Sequence, residues 1–342
     1  MTLATRYLGL TLPSPVVASA SPLTGNVRHL RALEAAGAGA VVLPSLFASE
    51  LAAADKREET LRAAGACNSP EVSSYFPVLP PDSQGEDRYL DLIRRARAAL
   101  AIPVIASLHA SDLEHWTQHA RQCEEAGASA LELNIHFVAT DLTLSGAEIE
   151  QRHVDTVRAV RARTTLPLAV KVSPYFTAPG HFLLRLVDAG ADGLVLFNRY
   201  QQPDIDVVRL QMTNAFELSH ARELRVPLQW IALLHGRVSA SLAASTGVHS
   251  VNDVIKFLLA GADVVMTAAV LLQHGSAGMH PLVSGLKDWL RHRGMDSLLP
   301  LRGLLSRDRA HTSADFIRAN NLQTLQGYQP GAHALHNPID AS

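Results

Sequence analysis

Polar side chains gather at one kind of place in this chain, the one or two positions that follow a short apolar run. Ser19 and Ser21, Ser45, Ser107 and His109, Asn134 and His136, Lys171 and Ser173, Asn198 and Arg199, Thr246 and Gly247, and Thr267 all stand there. Lys171 is the most telling, because it interrupts the apolar stretch Leu-Pro-Leu-Ala-Val-Lys-Val-Ser-Pro-Tyr at 166–175. An unpaired ammonium in an apolar core costs several kcal/mol, so this lysine must meet a charged partner or face a site at the mouth of a strand. The plain alternative is an edge strand with Lys171 in solvent, but its neighbours lack the period-two polarity of such a strand. Asn134, Asn198 and Lys171 together suit a planar polar ligand, and no acidic cluster or His/Cys set carries metal-ligand spacing.

The elements that position these residues show as an internal repeat. The phrase Gly37-Ala38-Gly39-Ala40-Val41-Val42-Leu43 returns in altered form at 127–133, 190–196 and 261–267, each time as a helix ending in Gly that runs into a buried strand. Between these four come apolar strands at 15–19, 102–108, 166–172 and 238–245. Helical stretches at 26–36, 87–100, 113–126, 146–164 and 181–189 separate most of them. Eight alternating strands and helices predict an α/β protein with a closed (β/α)8 TIM barrel. An open doubly wound sheet is the competing architecture, and it lacks a GxGxxG after the first strand. Long connections at 45–86, 134–145 and 198–228 all follow carboxyl ends of strands, so long loops are expected over the carboxyl face. The expected division is a barrel over 1–275 and a C-terminal extension over 276–342, made of a helix at 281–293 and a polar tail packed on the barrel.

Composition narrows the setting. The 342 residues are 47% hydrophobic and 18% charged, with a formal net charge of -2 and no basic stripe, which argues against a nucleic-acid partner. Cys67 and Cys123 fit neither a disulfide framework nor a metal site, and no uncharged apolar run is long enough to span a bilayer. A cytoplasmic protein without membrane contact is expected.

The run Ser245-Thr246-Gly247-Val248, with Ser250 and Asp253 behind it in capping-box spacing, reads as a strand end followed by a helix N-terminus. Barrels commonly hold a phosphate there, after the seventh and eighth strands. An ordinary capped helix is the plain alternative.

These motifs resemble the dihydroorotate dehydrogenase family of FMN-dependent barrels, in particular a branch similar to dihydroorotate dehydrogenase with no assigned substrate. The residues that carry the resemblance run from Ser14-Pro-Val-Val-Ala-Ser-Ala-Ser through Asn134, Ala169-Val-Lys-Val-Ser-Pro-Tyr and Phe197-Asn198 to Ser245-Thr-Gly-Val. The resemblance implies an FMN site in which Ala20, Ser21 and Ser45 touch the flavin and Lys171 faces its ring. It places Asn134 between flavin and substrate, Asn198 on the substrate, and Thr246, Gly247, Ala268 and Ala269 at the phosphate. Two departures stand out. Pro44 occupies the place of a family lysine, and Asn134-Ile-His-Phe-Val replaces Asn-x-Ser-Cys-Pro, so Phe137 stands where the family has its base. His136 is the neighbouring titratable group and is taken as the catalytic candidate beside Lys171.

The implied activity is hydride transfer from a small substrate C–H to flavin, of the kind used in pyrimidine biosynthesis, with dihydroorotate itself a poor substrate. Two other readings are a Schiff-base lyase or aldolase built on Lys171, and a flavin-holding subunit without turnover. A redox partner protein and a homodimer are the expected assemblies.

Overall fold

The computed structural model describes residues 2–47, 85–110, 112–137, 139–199, 204–213 and 217–307. The chain opens with an antiparallel hairpin, β1 (Thr5–Tyr7) and β2 (Leu10–Leu12), turned through Leu8 and Gly9 at positive φ. The first barrel strands are β3 (Val16–Ala18), β4 (Ala40–Val42) and, after a two-residue β5 (Leu46–Phe47), β6 (Val104–His109). They continue through β7 (Ala130–Asn134), β8 (Leu168–Val172) and β9 (Gly193–Leu196). A second hairpin, β10 (Asp204–Asp206) and β11 (Gln211–Thr213), precedes β12 (Ser241–Ala244) and β13 (Val264–Thr267). Neighbouring barrel strands all pair in parallel. The pairings β13 with β3, β3 with β4 and β4 with β6 close the ring, giving the expected eight-stranded barrel.

Helices α1 (Val27–Ala35), α2 (Gly85–Ala99), α3 (Leu113–Glu125), α4 (Gly146–Arg161) and α5 (Pro179–Asp188) fall where the periodicity predicts. The outer layer is completed by α6 (Arg225–Leu234), α7 (Val251–Ala260), α8 (Ala269–His274) and α9 (Met279–His292). The last of these buries Met279, Leu282, Leu286 and Leu290 in the shared core. Among the described residues no helix is long and apolar enough to cross a membrane. The polar tail expected beyond the last helix lies, from residue 308 on, outside the described residues. So does 48–84 of the first long connection.

The repeated phrase has two mechanical parts. Gly37, Gly127, Gly190 and Gly261 all sit at φ between 90° and 115°, a left-handed conformation that turns the chain sharply from the helix end into the next strand. Two residues later the backbone locks onto the preceding barrel strand. Ser129, Asp192 and Asp263 each donate their N–H to that strand and accept its first free N–H on the side chain, at Val104 (3.1 Å), Leu168 (2.9 Å) and Leu242 (2.8 Å). In the first repeat Gly39 has no side chain to offer. Its Cβ would lie 1.8 Å from the Ser14 carbonyl oxygen, and the Ser14 hydroxyl takes the Val16 N–H instead, at 3.3 Å.

Inside the ring, Val17, Ala40, Val42, Ile105, Ala130, Ala169, Val195, Ala243, Val264 and Met266 converge on Tyr7, Leu8 and Leu12 of the first hairpin. The inward residues at this level are mostly small because the hairpin fills the space. Gly193 is the limit of this, since a Cβ there would meet the Leu8 methyl at 2.5 Å. The barrel is thus plugged at the amino end and can open only at the carboxyl end.

The locking device gives a graded stability test by denaturant unfolding. Ser129→Ala leaves a strand N–H without its partner and should cost about 1 kcal/mol. Gly39→Ala drives a methyl into backbone and should cost about 3 kcal/mol, near the upper range for overpacking.

Candidate functional site

Side chains alternate along a strand, so the inward positions above the apolar layer are two residues further on. On the eight strands these are Ser19, Pro44, Ser107, Glu132, Lys171, Phe197, Ser245 and Ala268. Five of the eight are polar, so the barrel interior becomes largely polar within one pleat. At its mouth lies a cavity of about 240 Å³. Of the residues expected from the sequence, Ala20, Asn134, His136, Lys171, Asn198, Thr246, Gly247, Ala268 and Ala269 line it. Ser21 and Ser45 do not line it. The Ser21 hydroxyl is buried without a partner, and Ser45 reaches the cavity only through Asn134, whose Nδ2 donates to Ser45 Oγ at 3.0 Å. Arg199, Met266 and the segment Glu217–Ser219 line the cavity but were not assigned a role from sequence.

Lys171 and Asn134 are register partners on adjacent strands, so both emerge at one level. The Lys171 ammonium donates no hydrogen bond to any described residue, and Asn134 Oδ1 is buried without a partner. A cation and an acceptor thus stand side by side with their bonding capacity unused. Asn198 is more constrained: its N–H donates to Val172 O at 2.8 Å, and its Nδ2 makes long contacts of 3.3 and 3.4 Å to the carbonyls of Lys171 and Ile135. Arg199 is tethered through Nε to Glu223 at 2.9 Å and donates also to the Glu217 carbonyl, which ties two loop segments over the cavity.

His136 turns in just after β7, its N–H on the Asn134 carbonyl at 3.0 Å. Burial holds its imidazole below the usual histidine range, and His109, whose ring centre is 6.5 Å away, and Lys171 push it the same way. Phe137 lies outside the cavity lining, edge-on to His153 within a cluster that also holds Phe176 and Phe182.

The opposite end of the cavity is made by backbone. Thr246 and Gly247 both have positive φ, 79° and 75°, and the turn is braced by Thr246 Oγ1 on the Phe197 carbonyl and Thr267 Oγ1 on the Val248 carbonyl. The capping box at Ser250 and Asp253 is present, and it is more closed than its sequence suggests. The buried Asp253 carboxylate accepts the N–H groups of His249 and Ser250, the two residues just ahead of α7. The Gly247 N–H makes a long 3.4 Å bond to Ser219 Oγ, and the backbone nearest the cavity is that of the Thr246–Gly247 turn and of Ala268 and Ala269, where α8 begins. Glu217, Leu218 and Ser219 form a wall shared with a second hollow of about 570 Å³ lined by His220, His249 and Gln273. Ligand sites of this type commonly take about 300–1000 Å³, so the two hollows together have the right scale.

Glu132 is a further residue that the sequence reading did not single out. It is wholly inaccessible to solvent inside the barrel, one pleat below Asn134. Burial pushes its carboxyl group above the usual carboxylate range, opposed by Lys171 and by a 3.5 Å hydrogen bond from Ser107.

Residues 80–290 match the family model of dihydroorotate dehydrogenase. A protein of Aeropyrum pernix, assigned as dihydroorotate dehydrogenase A (fumarate), is 30% identical over 60% of this chain and 69% of its own length. The catalytic subunit of dihydroorotate dehydrogenase B (NAD(+)) from Desulforudis audaxviator is 27% identical over 89% and 97% of the two chains. Subunit PreA of the Escherichia coli K12 NAD-dependent dihydropyrimidine dehydrogenase is 25% identical over 59% of this chain and 52% of its own. With a closed barrel whose polar residues converge at the carboxyl mouth, the chain belongs to the dihydroorotate dehydrogenase family of FMN-dependent oxidoreductases, which act on CH–CH groups.

Proposed function

We propose that the cavity holds FMN and that this chain oxidises a small CH–CH substrate other than dihydroorotate. The observation that carries the reading is the ammonium of Lys171 beside Oδ1 of Asn134, both without a hydrogen-bond partner among the described residues, at the carboxyl mouth of the barrel. A flat cofactor with a polar ring edge and a phosphate tail fits this donor set: cation and amide at one end, positive-φ backbone and a helix start at the other. Ala20 and the buried Ser21 hydroxyl would meet the ring system, and Ser45 would act through Asn134. Thr246, Gly247, Ala268 and Ala269 would hold the phosphate. Bound FMN supplies the acceptor for a hydride, and the protein supplies position and charge.

In this arrangement Lys171 places fixed positive charge where negative charge develops, in a pocket where water does not screen it. Asn134 and Asn198 orient the substrate's polar groups. His136 takes the proton that must leave the carbon next to the one losing hydride, and its imidazole is suited to this because burial keeps it neutral. Pro44 and Phe137 remove two groups that the family resemblance leads one to expect, which is the ground for placing dihydroorotate outside the preferred substrates.

We further propose a cytoplasmic setting, which the free, buried Cys123 supports, and an assembly of two copies with a redox partner. Two relatives are named as subunits. The β10–β11 hairpin supports pairing of copies, since Val207, Val208 and Leu210 are 77%, 88% and 85% exposed and a lone two-stranded ribbon is marginal in water.

The visible spectrum of the purified protein tests the cofactor. Flavin absorbance is expected, and its absence after reconstitution with FMN would overturn the reading. Lys171→Met should lose flavin or slow its reduction by about 10²-fold, the scale for removing one preorganised stabiliser. His136 fixes the acid limb of the pH profile. A group with a lowered pKa stays unprotonated until the pH falls below it, so reduction should persist below about pH 6.5, the ordinary histidine value, and His136→Ala should abolish that limb. Val208→Glu should convert dimer to monomer in sedimentation experiments without loss of flavin.

A further inference from the structure

Among the described residues two permanent cations line the cavity, Lys171 beside Asn134 and Arg199 directly after Asn198, where the chain leaves β9. The Arg199 backbone is anchored one residue earlier, by the Asn198 N–H on the Val172 carbonyl at 2.8 Å. Its side chain is 27% exposed. Nε donates to Glu223 Oε2 at 2.9 Å and Nη1 to the Glu217 carbonyl, and Nη2 has no acceptor among the described residues. Glu223 is itself held, since its other oxygen, Oε1, accepts the His220 N–H at 2.8 Å. Glu217 meets the guanidinium through its carbonyl, and its own side chain is exposed. The guanidinium is therefore fixed by two contacts while part of its donor set stays uncommitted at the cavity wall.

We propose that Arg199 binds a carboxylate of the substrate, so that the CH–CH unit belongs to a small carboxylic acid. The inference deepens the proposed function, on which it rests for the cavity as the reaction site and for Lys171 as the cation that faces the cofactor. A guanidinium is a planar fork of donors that matches the two oxygens of a carboxylate. Holding it in place beforehand lowers the ordering that binding requires. A neutral carbonyl offers one oxygen and no charge, so it uses such a fork less fully. Glu223 limits the attraction without removing it, because the uncommitted N–H groups still form charge-assisted hydrogen bonds with an arriving anion.

The position also suits the reaction. A carboxylate on Arg199 brings the carbon chain into the cavity whose wall carries His136. The carbon next to the carboxylate gives its proton to His136, and the electron pair of that C–H bond becomes the C=C bond as hydride leaves the following carbon for the flavin. Two C–H bonds break, one C=C bond and one N–H bond form, and the hydride carries its electron pair to the acceptor. Negative charge that gathers on the carboxylate oxygens as the proton departs is met by a cation already in place.

Saturation-transfer NMR titrations of the FMN-loaded protein with propionate and with propionamide test the assignment, since the two probes share a carbon chain and differ in charge. Wild type should bind propionate about 10-fold more tightly, the scale of a hydrogen bond to a charged group, and Arg199→Gln should bind the two alike. Glu223→Gln breaks the same tie between loops but keeps the cation, and it should retain the preference. Equal binding by wild type, no binding of propionate, a preference untouched in Arg199→Gln, or a preference lost equally in Glu223→Gln would each overturn the assignment. So would a fall in FMN affinity in Arg199→Gln without a fall in riboflavin affinity, which would put the guanidinium on the cofactor's phosphate. If Arg199→Gln does not fold, Arg199→Lys decides: an ammonium keeps the charge without the fork and should lose part of the preference, and an undiminished preference would sink the proposal. Flavin content separates this from the proposed function. A flavin-loaded protein that fails the comparison loses only the carboxylate, and a protein that refuses FMN loses the proposed function while the same titrations without flavin still read Arg199.

Discussion

An ammonium group inside a closed barrel has few stable arrangements, and the structure follows from the one adopted here. Lys171 could be neutralised by a carboxylate at contact distance, but the nearest acid, Glu132, makes no ion pair with it and is itself disfavoured as an anion by complete burial. A contact pair would also leave little field at the mouth, since attraction between two charges falls once each is compensated. Burial, by disfavouring the carboxylate, leaves the cation less compensated. The price is a carboxyl oxygen and an amide oxygen left without partners among the described residues, at Glu132 and Asn134. Groups left unsatisfied inside a protein cost stability, and here they lie together at one end of one cavity.

That cost is carried by the rest of the barrel. Its amino end is regular and apolar: a hairpin plug of Tyr7, Leu8 and Leu12, small inward residues around it, and reciprocal hydrogen bonds locking strand starts at Ser129, Asp192 and Asp263. Its carboxyl end is irregular and polar, with two successive positive-φ residues and loops tied by the Arg199–Glu223 pair. The same eight strands therefore serve two purposes, with one pleat separating the layer that stabilises from the layer that binds.

Much of this was legible in the sequence because the barrel is a repeat. Four glycine phrases, each with a helix before and a buried strand after, mark four of the eight strands, the apolar runs between them mark the other four, and the polar residues following the strands give most of the cavity wall. What escaped was short or non-repeating. The strands of the first hairpin are three residues each and carry no clear period, so nothing in 5–12 announced a plug. Glu132 sits in Leu131-Glu132-Leu133, a pattern that reads as a half-exposed strand until barrel closure turns its polar face inward. The closed cap at Asp253 was also invisible, because a capping box in sequence does not say whether its donors remain free for a ligand. Glu217–Ser219 reach the cavity through tertiary folding of a long connection, for which no local pattern exists, whereas Arg199 stood in the strand-end pattern without a role.

The two departures from the family pattern bear on each other once the geometry is known. Pro44 removes a second cation from the mouth, so the electrostatics of the cavity rest on Lys171 and on whatever protonation its neighbours hold. Phe137 turns away, edge-on to His153, and leaves His136 as the neighbouring titratable residue on the cavity side, where the proposed function puts the proton acceptor. A base at that position would approach a ligand from the Asn134 end. The far side of the cavity, under Arg199 and Glu217–Ser219, carries Glu217 as its acidic side chain. In the proposed function, selection among substrates would fall to the loops on that side. This is where the chain departs most from a plain barrel, in the long connection after β9 that carries the exposed hairpin, Arg199 and the wall of the second hollow.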